Sequence, residues 1–394
     1  MNYASIVPLI GGSTIAMQNV FNQRPHYMMT YDGFQDNEKH LINYYNNEVP
    51  YYNLSEGKQP THNVDVVNTV CPCAGLSSLS VSASSTNEAN DWMLTSAEYV
   101  LGTVKPKVFW GENAPRLASK MGEPVVEKLR KVAYKNGYTF SLLQTKSLLH
   151  GLSQTRDRSF YFFWKDSKVP LFDYIHEAPG NIAEDIRSVE YNTEDPMSAL
   201  TNTKTPSDNP FYRYVLEAIE GGITHKQFSD KITKSCNVMD YIEEHTNYRV
   251  VSEWMEANGF EREAKRCLTM YQKLKAGGNI MRKNIEIPSD KIGAFVGHLP
   301  TMLTHPDEDR FLTVREALYI MRMPSDFELL DPKRTLNHIC QNVPVTTAEF
   351  VCKQISKYLN GSIDLVDTDF LIQDNRKKAI KYQKNSVQLD SFMV

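Results

Sequence analysis

Through residue 165 this chain alternates short β-branched or aromatic runs with helix-length segments, and few folds accommodate that alternation. Ala4–Pro8 is a short apolar run, followed by Gly11-Gly12 and a helical pattern from Ser13 to Asn22. Tyr27–Tyr31 reads as a second strand ending at Asp32, and Asn37–Tyr45 as a second helix. Val64–Val70 is rich in β-branched residues, the composition that fits a pleated surface. Asn87–Leu101 reads as helix, Lys107–Trp110 as strand, Glu123–Asn136 as helix and Tyr138–Leu143 as strand. Ser159–Trp164 closes the series with an aromatic density that suits a covered strand. Strands alternating with helices of this length form βα units and a mostly parallel sheet. The expected class is α/β with a doubly wound sheet, whose ligands sit at the carboxyl ends of the strands.

After Asp166 the character changes. Residues 166–310 carry irregular polar stretches, such as Asn202–Asn209, and several helix-like pieces, as a separate and less regular module would. Helical pattern returns at Thr313–Met323 and Thr346–Tyr358, and from Gln373 a basic tail carries Arg376, Lys377, Lys378, Lys381 and Lys384. With 394 residues there is room for one large domain and a smaller one. No apolar run reaches the ~18 residues of a membrane span. The start, Met1-Asn2-Tyr3-Ala4-Ser5, lacks the basic region of a secretory leader. Six dispersed cysteines suit a reduced, cytoplasmic setting better than a disulfide framework. Cys71 and Cys73 make only a C-x-C, so no metal is expected. A net charge of −4 argues against a general nucleic-acid coat but leaves room for local basic surface. One such window holds Lys265, Arg266, Lys273, Lys275, Arg282 and Lys283 without an acid, which a solvated helix face would also explain.

Chemistry concentrates where the Val64–Val70 strand ends. Pro72 stops the strand, and Gly75 with the serine-rich stretch to Ser85 reads as a mobile loop, so Cys73 lies where α/β enzymes keep reactive groups. Downstream follow Phe109-Trp110-Gly111-Glu112-Asn113 and Gln154-Thr155-Arg156-Asp157-Arg158. Then come Arg310-Phe311-Leu312-Thr313-Val314-Arg315-Glu316-Ala317, Met323-Pro324-Ser325-Asp326-Phe327 and Val343-Pro344. In type and order these segments resemble the cytosine-C5 DNA methyltransferases over the first 165 residues and roughly 305–360. Each motif alone discriminates little; five in one order discriminate well. The resemblance implies a methyltransferase-type catalytic and cofactor-binding domain at 1–168 and a smaller, irregular target-recognition domain at 169–305. It further implies a return segment at 306–360 that completes the recognition module and the catalytic domain, leaving 361–394 as a C-terminal tail.

The family's chemistry gives each residue type a reason. Cytosine C5 is a poor nucleophile until a thiolate adds to C6, a role the resemblance puts on Cys73. Charge moved into the ring must be met at N3, which suits Glu112 at a strand end; a strand-end carboxylate or helix cap is the plainer alternative. Arg156 and Arg158, two apart, point to one face of extended chain and can hold a base carbonyl and brace the cysteine loop. Salt bridges to sheet-edge acids would also account for them. By resemblance Arg158 holds the cytosine O2 and Arg156 the backbone nearby, with the base flipped out of the duplex and the loop closing over it.

The implied methyl donor is S-adenosylmethionine. Gly11 and Gly12 form a strand-to-helix turn where backbone can approach a ligand and a helix N-terminus can face a carboxylate. Asp32 is placed for ribose hydroxyls and Asn53 where the family has an acid near adenine. Val7, Pro72 and Val343 complete the implied donor site. The first motif departs from the family's Asp-x-Phe-x-Gly-x-Gly-Gly: here Val7 replaces the Phe and Leu9 the first Gly. In the last motif Cys340-Gln341-Asn342 stands where Gly-Asn-Ser or Gly-Asn-Ala is usual. Ser77 and the basic window would contact double-stranded DNA. Gln388-Leu389-Asp390-Ser391-Phe392 resembles the peptides that dock on sliding clamps, although a frayed terminus looks the same. The expected protein is a DNA cytosine-C5 methyltransferase of a bacterial or phage-infected cell. The alternatives are the RNA-directed branch of the family and a DNA-binding relative without turnover.

Overall fold

The computed structural model describes residues 1–73, 75–77 and 82–382. They form two compact units. The first comprises Met1–Pro179, Met321–Leu330 and the described residues from Gln341 onward; the second comprises Gly180–Ile320 and Asp331–Cys340.

The first unit is built on a nine-stranded sheet. Its strands are β1 (Tyr3–Ile6), β2 (Tyr27–Thr30), β3 (Tyr51–Asn53), β4 (Val66–Thr69), β5 (Val108–Asn113), β6 (Thr139–Lys146), β7 (Asp157–Trp164), β8 (Phe370–Asp374) and β9 (Ala379–Tyr382). They lie in the order β9-β8-β6-β7-β5-β4-β1-β2-β3. Neighbours pair in parallel except at β7, antiparallel to β5 and β6, and at β9, antiparallel to β8. The chain therefore has the expected α/β class, with a mixed, mostly parallel sheet. Its helices include α1 (Gly12–Phe21), α2 (Gln35–Tyr44), α3 (Asp91–Tyr99), α4 (Glu123–Lys135) and α5 (Val345–Leu359), with α1 packed on α5.

The reversed direction of β7 decides where the candidate arginines fall. Phe160, Tyr161, Phe162, Phe163 and Trp164 have no exposed surface, so the strand is covered on both faces, as the aromatic run implied. Hydrophobicity carries no direction, however. Antiparallel pairing sets Ser159 opposite Asn113 and Phe160 opposite Glu112, so the beginning of β7 lies at the carboxyl end of β5. A parallel β7 would carry Arg156 and Arg158 to the opposite edge of the sheet.

Two further differences are local. The three-residue β3 is too short for a periodic signal. The segment from Gln373, expected as a tail, instead continues the sheet through β8 and β9; Arg376 ties it down by pairing with Asp374 and Asp157. Residues 383–394, including the clamp-like Gln388–Phe392, lie outside the described part.

On the β2–β3 side, Glu38 of α2 is fully buried, and the Tyr51 hydroxyl donates to it. Burial raises its carboxyl from 4.5 to about 7, against the pull of the Tyr51 and Thr30 hydroxyls. The folded chain thus keeps a proton that the unfolded chain releases between those two values. Stability falls as pH rises through that window, by about 3 kcal/mol in all. Glu38→Gln removes the slope: its melting temperature matches wild type near pH 5 and exceeds it near pH 8. A wild type whose melting temperature is flat over that range would contradict this account.

The second unit has its own apolar core, including Phe211, Tyr212, Phe228, Ile242, Val251 and Met255. The Arg310–Ala317 motif builds part of this unit. Glu316 accepts the Thr313 N–H at 2.8 Å while its own N–H donates to Thr313 Oγ1 at 3.1 Å, a reciprocal cap on the helix Val314–Ile320. Arg310 donates two hydrogen bonds to the same carboxylate, and Arg315 two to Asp195. These clasps tie the helix to the second unit, which runs to Ile320 before the chain passes to the first.

Candidate active site

Four strand ends converge on one cavity of about 450 Å³. Its walls are Leu9 beyond β1, Gly33, Phe34 and Asn37 beyond β2, Cys71, Pro72, Cys73 and Ser77 beyond β4, Glu112 on β5, and Gln341. This is the carboxyl edge of the parallel strands, where β1 and β4 lie side by side while their connections leave in opposite directions along the sheet.

Cys73 is half-buried, and its carbonyl accepts the Leu76 N–H at 3.0 Å, turning the chain immediately beyond the strand. Burial raises its thiol above the ordinary value, and the Glu112 charge raises it further; Arg158 and Arg156 pull it down. All three charged groups are therefore electrostatic neighbours of the sulfur. Glu112 is buried, and Arg158 Nε forms an ion pair with its Oε1. Arg156 is also buried, and its Nη2 donates to the Asn342 carbonyl at 2.9 Å. Gly111 leaves the space that seats Tyr161: a Cβ there would come within 2.4 Å of that ring. Behind the nucleophile position, Cys71 is buried with Thr69 Oγ1 at 3.2 Å, and burial pushes its thiol up as well.

The loop after Cys73 is held at its described ends. Leu76 is fully buried, the Ser84 N–H donates to the Gly75 carbonyl at 2.9 Å, and Asn90 Nδ2 donates to the Ser84 carbonyl at 2.9 Å. The mobility expected from Gly75 therefore does not extend to these ends. Residues 74 and 78–81 lie outside the described part.

On the donor side the expected residues separate. Asp32 is exposed beside Gly33, and Asn53 Nδ2 donates to its Oδ1 at 2.8 Å, joining the two expected nucleoside contacts. Gly33, at φ +97°, has open space where a Cβ would be. Val7 is fully buried, and neither it nor Val343 is among the cavity-lining residues. At Gly11 and Gly12 the side-chain direction is filled by protein. A Cβ on Gly11 would meet Leu41 Cδ1 at 2.3 Å, and one on Gly12 the Val343 carbonyl at 2.1 Å. The Gly12 N–H already donates to Asn342 Oδ1 at 2.9 Å. One residue on, the buried Ser13 hydroxyl has no hydrogen-bond partner among the described residues. The cavity wall offers a nucleoside the apolar Leu9, Phe34 and Pro72 and the Gly33 backbone next to Asp32; Asp32, Asn53 and Ser13 are not themselves among its lining residues. No group of side chains able to hold a metal occurs among the described residues.

The basic window divides as well. Lys265, Arg266, Lys273 and Lys275 are exposed on the helix Glu261–Lys275, whose other face buries Ala264, Cys267 and Met270. Arg266 and Lys283 line one groove of about 570 Å³ with Asn202, Lys204, Asn209 and Asn284. Arg282 differs from the rest: it clasps Glu243 with bonds of 2.9 and 2.8 Å.

The sequence matches the model of the C-5 cytosine-specific DNA methylases over residues 1–357. The chain belongs to the C-5 cytosine-specific DNA methylase family. No curated protein matches it. Among solved structures, the fold is similar to a prophage-encoded protein of E. coli described as a DNA modification methyltransferase. That match has a TM-score of 0.56 at 14% identity and covers 91% of this chain and 99% of that one. It is similar also to the Entamoeba histolytica methyltransferase EhMeth, with a TM-score of 0.50 at 15% identity, covering 92% and 98%. The family member is thus a methyltransferase, and family membership implies S-adenosylmethionine as its donor. No helix among the described residues is long and apolar enough to cross a membrane.

Proposed function

We infer that this methylase transfers a methyl group from S-adenosylmethionine to C5 of a cytosine flipped out of double-stranded DNA, through a transient Cys73–C6 bond. The observation that carries the reading is that Cys73 and Glu112 line one cavity while Arg158 is ion-paired to that carboxylate. In this scheme the Cys73 sulfur adds to C6 and its proton leaves to the Glu112 carboxylate. Glu112 in turn supplies the proton that N3 needs as charge enters the ring. Arg158, released in part from Glu112, turns toward the base carbonyl, and Arg156 holds the segment beneath. The donor, when bound, supplies the methyl group to the enriched C5. Loss of the C5 proton to solvent water then expels the thiolate, N3 returns its proton to Glu112, and the aromatic ring is restored. Asp32 and Asn53 would hold the nucleoside end of the donor, with Pro72 against it and Ser77 toward the DNA.

The test is transfer of isotope label from the donor to duplex DNA, with an RNA of the same sequence as a parallel arm. Label at cytosine C5 in DNA supports the reading; label only in RNA points to the RNA-directed branch, and binding without label to the relative without turnover. A cytoplasmic role in a bacterial or phage-infected cell, in modification alongside restriction, fits this chemistry. Docking of Gln388–Val394 on a sliding clamp rests on the sequence pattern alone.

The exposed face of the basic helix gives a second test. Replacing Lys265, Arg266, Lys273 and Lys275 with Gln lowers the slope of log Kd against log salt by about 0.9 for each phosphate that these side chains neutralise. Arg282→Gln leaves that slope unchanged and lowers the melting temperature, since its partner is Glu243. Anisotropy titrations across a salt series decide between the two behaviours. An unchanged slope in the fourfold variant would remove this helix from the DNA interface.

A further inference from the structure

We propose that Asn342 is a positioning residue that holds the donor-side turn and the cytosine-side Arg156 in one register; this rests on the methyltransferase reading above. Asn342 is fully buried in the first unit, where both ends of its side-chain amide and its backbone carbonyl are engaged. Its Oδ1 accepts the Gly12 N–H at 2.9 Å, 330 residues away in sequence. Its Nδ2 donates to Met323 Sδ at 3.1 Å, which leaves the oxygen facing α1. Its backbone carbonyl accepts from Arg156 Nη2 at 2.9 Å. The next carbonyl, Val343, packs so closely on Gly12 that a Cβ there would sit 2.1 Å from it.

The chemistry of the side chain is what makes this arrangement possible. An amide accepts and donates from two ends of one rigid plane; a hydroxyl is too short to span both partners, and a carboxylate has nothing to donate. The position is also where the chain departs from the family's Gly-Asn-Ser pattern, so the departure and the contact coincide. Because Asn342 satisfies the first amide of α1, the next polar group of that turn is the unpartnered Ser13 hydroxyl. That hydroxyl, together with the remaining N–H groups of that first turn, then meets the amino-acid end of the donor, and Asn342 sets where the turn sits. Through its backbone the same residue sets Arg156, which lies one residue before β7 and two before Arg158.

The experiment compares two ligands. S-adenosylhomocysteine carries the amino-acid end of the donor, and 5′-methylthioadenosine lacks it. Calorimetry on the full chain should find that Asn342→Ala weakens S-adenosylhomocysteine about tenfold, the equivalent of one hydrogen bond. Methylthioadenosine should stay within about twofold of wild type. Asn342→Asp, which keeps an acceptor for Gly12 but adds negative charge beside the first turn, should weaken S-adenosylhomocysteine more than Asn342→Ala does. A third readout is covalent trapping on a 5-fluorocytosine duplex at saturating donor, which Asn342→Ala should slow. Unchanged S-adenosylhomocysteine binding overturns the proposal, as does equal weakening of both ligands, which would mark general loss of structure. A wild type that binds neither ligand overturns the donor reading itself.

Discussion

Cys73→Ala should abolish methyl transfer, with a loss on the order of 10⁴-fold or more, because removing the nucleophile closes the only addition route. The same variant should bind S-adenosylhomocysteine and duplex DNA within about twofold of wild type, since the cavity loses one sulfur and no charged group. Cys73→Ser is the stricter form: a hydroxyl of the same reach cannot form the thiolate. The neighbouring Cys71 offers an internal control. It is buried against Thr69, and its thiol is also raised, yet the scheme gives it no step. Cys71→Ser should retain turnover within about an order of magnitude, the difference reflecting packing around a buried sulfur. Single-turnover assays with labelled donor separate these outcomes, and substantial turnover in Cys73→Ala would end the covalent reading.

Glu112→Gln should move two observables in opposite directions. Methyl transfer should fall by about 10²–10⁴-fold, the usual contribution of a positioned proton donor or acceptor. The Cys73 thiol should become easier to ionise, because the Glu112 charge is one of the causes that hold it up while Arg158 and Arg156 pull it down. Alkylation of Cys73 by iodoacetamide at fixed pH should therefore speed up in the variant whose catalysis has collapsed. In wild type the thiol sits above its ordinary range, so the alkylation rate still climbs at alkaline pH; in Glu112→Gln the curve shifts to lower pH. If alkylation and methyl transfer slow together, the substitution has simply disordered the site.

Much of this site was legible in the sequence because its residues sit beside strong strand signals. Cys73 follows a β-branched run, and Glu112 ends an apolar one. The first half of the sheet was visible for the same reason. What the sequence does not carry is direction and distance. Nothing in the Phe160–Trp164 run says that β7 is antiparallel, and that orientation brings Arg158 to Glu112. The β8 and β9 strands are short and joined by a turn rich in Lys and Arg, where Arg376 meets Asp374. Nor does the Gly11-Gly12 pair say that Leu41 and Val343 fill the side-chain directions at that turn. Within the basic window, charge alone could not separate Arg282, held by Glu243, from the exposed lysines beside it. The helix read from Thr313 is present at Val314–Ile320, and the Thr313–Glu316 spacing provides its cap.

The most direct measurement is mass spectrometry of the protein incubated with donor and a duplex containing 5-fluorocytosine, whose fluorine blocks the final elimination. One sulfur joined to C6 of the base, mapped to the peptide holding Cys73 and missing in Cys73→Ala, is the predicted result. Methyl transfer to ordinary DNA with no trapped species on the fluorinated duplex, or a crosslink mapped to Cys71, would contradict the account.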